Sequence, residues 1–490
     1  MPPQTRTKIV ATIGPASDSA EKLVDLVEAG VDVFRLNFSH GTHEYHRNLF
    51  KLIKEVGGDR VATLIDLSGP KFRIGDVEEP FELTKGERLI LTSREVVCGR
   101  EERCVTINHK LLPQEVSPGN TLYINDGLVG LRVDKVVDNT DIYTTCFAGG
   151  PISSRKGINA PDVNLSISFP TKKDIEDVRF AMKIGPPDFF AASFVRKPTD
   201  VDKLRVLFKE FGCKVPVIAK IEHGDALKQI DAIVEAFDGI MVARGDLGIE
   251  VPTEDVPIIQ KDLIRRCNVA GKPVITATQM LESMTNNRRP TRAEASDVSN
   301  AVVDGTDAVM LSAETATGRY PTDTVGYMDR IASRAEELVY SRSETYAQDI
   351  YKQCKENIAE VLGFNTYYAA KKLKPRAILA ITRSGGTARL VAKYRPKTPI
   401  IACTAIPETA RQLQLMWGVI PLIIPVATSI EDLIYHSIGQ TYEEGYVGTD
   451  DLVIVIAGTL MGLPARTNLI QVFKVGEVLA LEAHFGPLII

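Results

Sequence analysis

Short apolar runs recur along the chain, each closing on polar residues and most followed by an amphipathic stretch. KIVATIGP, VDVFRLNFS, VATLIDLSGP, DFFAASFVRKP, VPVIAKIEH, GIMVARGDLG, KPVITATQML and DAVMLSAET read as eight strands. Between most of them lie helical patterns such as SAEKLVDLVEAG and DVPIIQKDLIRRCNVAG, the second stopped by Gly271. Near-continuous apolar strands alternating with helices predict an α/β fold with a parallel sheet covered on its outer face, and eight such units predict a (β/α)8 TIM barrel.

The rhythm breaks after the third strand. Residues 74–156 carry period-two segments (FELTKGERLILTS, CVTINH, TLYINDGLVGLRV, DIYTTCF) separated by turn residues, which predicts a small all-β barrel domain inserted as a lid over the barrel mouth. The barrel domain then comprises residues 1–73 and 157–341. From 342 to 490 a further alternation (RAILAITRSGGTARLVAKYRP, TPIIACTAIP, VIPLIIP, DLVIVIAGT) predicts a C-terminal doubly wound α/β domain.

Composition adds exclusions. Lys and Arg number 58 against 63 acids, a net charge of −5, so nucleic-acid binding is not expected and any anion site must be local. No run approaches the ~20 apolar residues of a membrane span, and the start of the chain lacks a signal-peptide pattern, so a cytoplasmic location is expected. Cys98, Cys104, Cys146, Cys213, Cys267, Cys354 and Cys403 form no CxxC pair, which points to reduced thiols rather than a disulfide framework or zinc site.

In a parallel barrel, chemistry sits at the C-terminal strand ends. The polar residues crowd there: Arg35, Asn37 and Ser39; Asp66, Lys71 and Arg73; Lys220 and Glu222; Arg244 and Asp246; Thr278; Ser312 and Glu314. Glu222 and Asp246 on neighbouring strands offer the few carboxylates that Mg²⁺ or Mn²⁺ takes while keeping waters and substrate oxygens; the plainer reading is a pair of solvated acids. Lys220, two residues before Glu222, faces the same side and stabilises anionic oxygen or serves a structural ion pair. Arg35 and Arg73, read as ending strands two and three, present forks for phosphate or carboxylate, or pair at the surface. Thr278, Ser312 and Glu314 suit a proton relay, with helix capping as the alternative for the hydroxyls. In TRSGGT (Thr382, Arg383, Ser384, Gly385, Gly386, Thr387), a strand meets a helix in a loop suited to cradling phosphate, or simply in a turn.

RLNFSHGTHEYH, KIEHGDAL, MVARGDLGIE, AGKPVITATQMLESM and RPTRAEASDVSNAVVDGTDAVMLSAETATGRYP give the chain its resemblance to pyruvate kinase over essentially its whole length. The resemblance implies the barrel, lid and regulatory domains just read. It implies phosphoryl transfer from phosphoenolpyruvate to ADP, then protonation of the enolate to pyruvate. By matching motif, Glu222 and Asp246 ligate Mg²⁺, and Lys220, Arg35 and Arg73 meet the phosphoryl group. Gly245, Asp246 and Thr278 hold the substrate carboxylate, and Thr278 with Ser312 and Glu314 delivers the proton. Pro15, Asn37, His40, Tyr45, Arg73, Lys156 and Asp126 of the lid face the nucleotide. A homotetramer and a phosphometabolite effector at TRSGGT are also implied.

The resemblance has departures. The family's eukaryotic pattern has Glu where this chain has Lys71, and Thr and Lys where it has Leu67 and Ser68. Members with that Glu generally need K⁺ near residues matching Asn37, Ser39 and Asp66; Lys71 is expected to substitute for the ion, so that K⁺ is not required. The helical extension preceding the first strand in many members is also missing. Another Mg²⁺ barrel enzyme of the aldolase or mutase type would use the same carboxylates, but the lid and TRSGGT domain argue against it. A catalytically dead sensor would be expected to have lost Lys220, Glu222, Asp246 or Thr278, and all are present.

Overall fold

The computed structural model describes residues 5–96, 103–161, 163, 165–166, 169–427, 429–459 and 467–485. Eight parallel strands close into a barrel in chain order: Lys8–Thr12, Val33–Asn37, Ala62–Asp66, Phe189–Ala192, Val217–Ile221, Gly239–Ala243, Val274–Ala277 and Ala308–Leu311. They are the eight that the apolar runs predict. The last closes on the first, with Lys8 opposite Ala308 and Ala11 opposite Leu311.

Strand alternation places the chemistry. Val10, Val33, Leu64 and Ile218 share one cluster inside the barrel, while Ile9, Phe34, Ile65 and Val217 pack outward under the helices. Side chains repeat every second residue, so Thr12, Arg35, Asp66 and Lys220, each two positions beyond an interior residue, project into the same space at the C-terminal mouth.

Among the described residues the inserted segment forms a six-stranded sheet and a two-stranded ribbon around one apolar core that includes Leu89, Leu122, Leu131 and Ile142. Its two connections to the barrel pair with each other. The Ile74 amide donates to the Lys156 carbonyl, and the Ile158 amide to that of Phe72, both at 2.9 Å. The lid sheet includes Ile158–Asn159, paired with Tyr123 and Ile124, and its core reaches Leu165.

The C-terminal sheet runs in the order Val419–Ile423, Ile400–Thr404, Ala377–Ile381, Leu452–Ala457 and Leu469–Lys474, parallel except for the last strand. This domain rests against the N-terminal face of the barrel, opposite the mouth. Arg411 reaches Asp188, just ahead of the fourth strand, at 2.8 Å, and Arg395 reaches Asp307, just ahead of the eighth, at 3.1 Å.

One expectation from cysteine spacing is corrected. Cys104 is disulfide-bonded, and Cys98 lies outside the described residues. Cys146, Cys213, Cys267, Cys354 and Cys403 are free.

Candidate active site

Four charged side chains meet at the mouth with almost no solvent contact. Arg35 donates through Nε to Asp66 Oδ2 (2.8 Å) and through Nη1 to the Thr12 hydroxyl (2.8 Å). Lys220 Nζ reaches Glu222 Oε1 at 2.7 Å, the Ser193 hydroxyl at 2.8 Å and Asp66 Oδ1 at 3.2 Å. Three acceptors match the three N–H bonds of an ammonium, so the cation is held in one place. Ser193 spends its own proton on the Leu67 carbonyl (2.7 Å), which leaves its oxygen to accept from Lys220.

Charge balance follows from these contacts. Burial alone would push Asp66 up, but Lys220 and Arg35 outweigh it and hold the carboxyl below its usual range. Burial works against a charged Lys220, and Asp66 and Glu222 more than restore it, so its pKa is raised. Glu222 is pushed up to about 6, chiefly by burial, with Lys220 opposing and Asp246 adding like-charge repulsion. The second oxygen of Glu222 accepts from the Phe194 amide at 2.7 Å. Two acids that repel each other, one of them buried, make a site that gains from a cation. No third His, Cys, Asp or Glu joins them as a metal cluster among the described residues, so water or substrate must complete any coordination shell.

The Thr278 loop closes the far side. Thr278 has φ +66°, and its hydroxyl accepts from the Gly245 amide (2.8 Å) while donating to the Ala277 carbonyl (2.6 Å). Arg244 does not face the mouth as an anion receptor. It donates to the Thr278 carbonyl (2.6 Å) and pairs with Asp297 (2.7 Å), pinning the strained loop. Ser312 stands at the start of a short helix without capping it; its amide donates to Glu314 Oε2 (2.7 Å), and Glu314 Oε1 accepts from the Leu281 amide. Glu314 therefore bridges the seventh and eighth strand ends.

Lys71 and Arg73 do not end the third strand, which stops at Asp66. Arg73 lies at the root of the lid, opposite Gly157, and donates to the Arg155 carbonyl at 2.8 Å. Lys71 forms no ion pair with Asp66, which Arg35 and Lys220 occupy. Burial of its ammonium lowers the Lys71 pKa, Lys220 lowers it further, and Asp246, Glu222 and Asp66 oppose. Its charge thus hangs over the same acids. His40 is lowered by burial and by Lys71, Arg73 and Arg35. Asn37 accepts from the Ser39 amide, Tyr45 donates to Asp18, Pro15 and Asp126 are exposed, and Lys156 holds the lid connection through its backbone.

Ser193 and Thr12 were not among the expected site residues. Thr12 stands at the end of the first barrel strand and Ser193 is the first polar residue after Phe189–Ala192, but only the contacts with Arg35 and Lys220 mark them as site residues.

The profile described as "Pyruvate kinase, barrel domain" matches residues 4–325, and that described as "Pyruvate kinase, alpha/beta domain" matches residues 360–473. The chain belongs to the pyruvate kinase family. It is 43% identical to the pyruvate kinase of Sporosarcina psychrophila over 487 residues, 98% of this chain and 82% of that one. The pyruvate kinase of Clostridium acetobutylicum is 43% identical over 95% of this chain and 99% of its own. A solved pyruvate kinase from Cryptosporidium parvum superposes with a TM-score of 0.89 at 37% identity, covering 96% of both chains. The chain is thus an enzyme of this family. No helix among the described residues is long and apolar enough to cross a membrane.

Proposed function

We propose that the protein transfers the phosphoryl group of phosphoenolpyruvate to ADP and protonates the resulting enolate to pyruvate. The carrying observation is Lys220 fixed between Asp66, Glu222 and Ser193 beside the Asp246 carboxylate at the barrel mouth. A coupled assay that follows ATP formed from ADP and phosphoenolpyruvate tests it; no ATP under any divalent-metal condition overturns it.

Glu222 and Asp246 would hold Mg²⁺ or Mn²⁺, the bound ion neutralising negative charge on the substrate's oxygens. Lys220 and Arg35 present preorganised positive charge to the phosphoryl group in a site that excludes water. The Gly245 and Asp246 amides and the Thr278 hydroxyl receive the substrate carboxylate, which takes over the bond that Gly245 now gives Thr278. Thr278, positioned by Arg244 and backed by Ser312 and Glu314, lends the proton for carbon through a water. Pro15, Asn37, His40, Tyr45, Arg73 and Lys156 line the nucleotide side, with Asp126 of the lid. A cytoplasmic homotetramer is part of this reading.

Lys71 is assigned the place of a monovalent cation beside Asn37, Ser39 and Asp66. Its charge lies near Asp66, Glu222 and Asp246 without being spent in a pair with Asp66. Substantial activity is expected in buffers free of K⁺ and NH₄⁺, and Lys71→Glu should acquire a K⁺ requirement. Titration of KCl against tetramethylammonium chloride at fixed ionic strength measures both; strong K⁺ activation of the unmodified enzyme overturns the assignment.

TRSGGT lies where the C-terminal sheet reverses its strand order, a usual place for ligands in doubly wound sheets. Arg383, Ser384 and Gly386 are exposed there, Gly385 turns at φ +80°, and Thr382 and Thr387 are buried. A phosphometabolite effector is assigned to this loop. Ser384→Ala is expected to remove activation by a panel of sugar phosphates and nucleoside monophosphates while leaving basal turnover; if none of the panel alters the parent's kinetics, the loop is only a helix start.

A further inference from the structure

We propose that a cleft at the rim of the barrel mouth, beside the chain returning from the lid, binds a small phosphate-bearing anion. The cavity holds about 210 Å³ and lies between the segments that follow the fourth and fifth barrel strands. Phe169 of the returning chain and Phe194, which follows the fourth strand, supply its aromatic lining. Phe194 is also where the cleft borders the candidate active site, since its amide donates to Glu222 at 2.7 Å.

The rest of the lining is charged apart from Gln229, and cations outnumber acids. Arg196, Lys197, Lys203 and Lys228 face Asp200 and Asp225, in a chain whose net charge is −5. Both acids are already engaged. Asp200, only 4% exposed, accepts from the backbone amides of Arg196 (3.1 Å) and Lys197 (3.2 Å). Asp225 pairs with Lys228 at 2.7 Å, and that bond leads in holding its carboxyl below the usual range, with Arg196 among the lesser causes.

The other three cations are not matched in return. Arg196 Nη1 donates to the Leu165 carbonyl (3.0 Å) and Lys203 Nζ to that of Phe169 (2.6 Å), both on the returning chain. These acceptors are neutral, and Arg196, Lys197 and Lys203 form no ion pair among the described residues. Hydrogen bonds to an ionised acceptor are about twice as strong as those to a neutral one. A phosphate brings up to two negative charges and three oxygens to one guanidinium fork and two ammoniums, where a carboxylate would balance a single charge. Size limits what the phosphate carries. The cavity is smaller than the roughly 300 Å³ at which sites for larger ligands begin, so a nucleotide is too large, and a short carbon chain against the phenylalanine rings fits.

Equilibrium dialysis of radiolabelled glycerol 3-phosphate against the full chain, without substrate or divalent metal, tests this, with inorganic phosphate in a second arm and glycerol as the neutral counterpart. The active site and TRSGGT are also read as phosphate sites, so the cleft is identified by substitution. Lys197 is exposed, and its side chain makes no hydrogen bond among the described residues, so Lys197→Glu spares the fold. It should weaken one class of glycerol 3-phosphate sites by about tenfold or more, and Lys203→Glu should weaken the same class. Lys220→Met should leave that class in place, which keeps the result independent of the phosphoryl-transfer reading. Inorganic phosphate binding equally well supports the site with the phosphate group alone as ligand, and tighter glycerol 3-phosphate supports an organic phosphate. The inference is overturned if neither anion binds at millimolar concentration, if glycerol binds as well as its phosphate, or if Lys197→Glu in a normally folded protein binds as the parent does.

Discussion

Glu222→Gln and Asp246→Asn are each expected to lower kcat by roughly a thousandfold with the fold retained, since a bound divalent ion contributes several kcal/mol of charge stabilisation and each ~1.4 kcal/mol is a factor of ten. Retention of the fold follows from the contacts. A glutamine oxygen at 222 can still accept from the Phe194 amide, and Lys220 keeps Asp66 and Ser193. The change also removes a charge that burial and Asp246 disfavour. Mn²⁺ binding followed by electron paramagnetic resonance separates metal loss from a general disturbance, and affinity should fall in both variants before any substrate is added. Normal turnover or unchanged Mn²⁺ affinity in either one overturns the metal assignment.

The barrel was legible because its strands are apolar on both faces and therefore stand out as continuous runs. Strand-end position then placed Arg35, Asp66, Lys220 and Glu222 at one mouth, and alternation set Lys220 and Glu222 on the same side. What stayed hidden was partner choice across long sequence separations. Arg244 reads as one more strand-end cation, yet its long side chain turns back to Thr278 and to Asp297, 53 residues on. Ser193 carries no pattern of its own, since one hydroxyl after an apolar run looks like any turn residue; its role exists only because Lys220, 27 residues later, arrives beside it. Arg73 and Lys71 misled for the opposite reason. They follow the strand closely in sequence, but the chain leaves the barrel at Asp66, so nearness along the chain did not make them part of the strand end.

Lys220→Met is expected to lower kcat by roughly a hundred- to a thousandfold, the consequence of removing one preorganised donor worth ~3 to 4 kcal/mol to a developing anion. Methionine fills nearly the same volume but offers no donor, so Glu222 loses its only cation within bonding distance among the described residues, while Asp66 keeps Arg35 and so keeps Arg35 in position. Some stability should go as well, because removing one partner of a buried pair leaves the other uncompensated. That loss must not be mistaken for catalysis. The variant should therefore be assayed well below its melting temperature, with near-ultraviolet circular dichroism confirming packed aromatic side chains. An electrostatic role predicts that kcat falls while KM for ADP stays close to the parent's, since the proposed role places Lys220 at the phosphoryl group and not at the nucleotide. A purely structural role predicts a lowered melting temperature with kcat per folded molecule within about tenfold of the parent, and that result would return Lys220 to the scaffold and leave Arg35 as the principal cation facing the phosphoryl group.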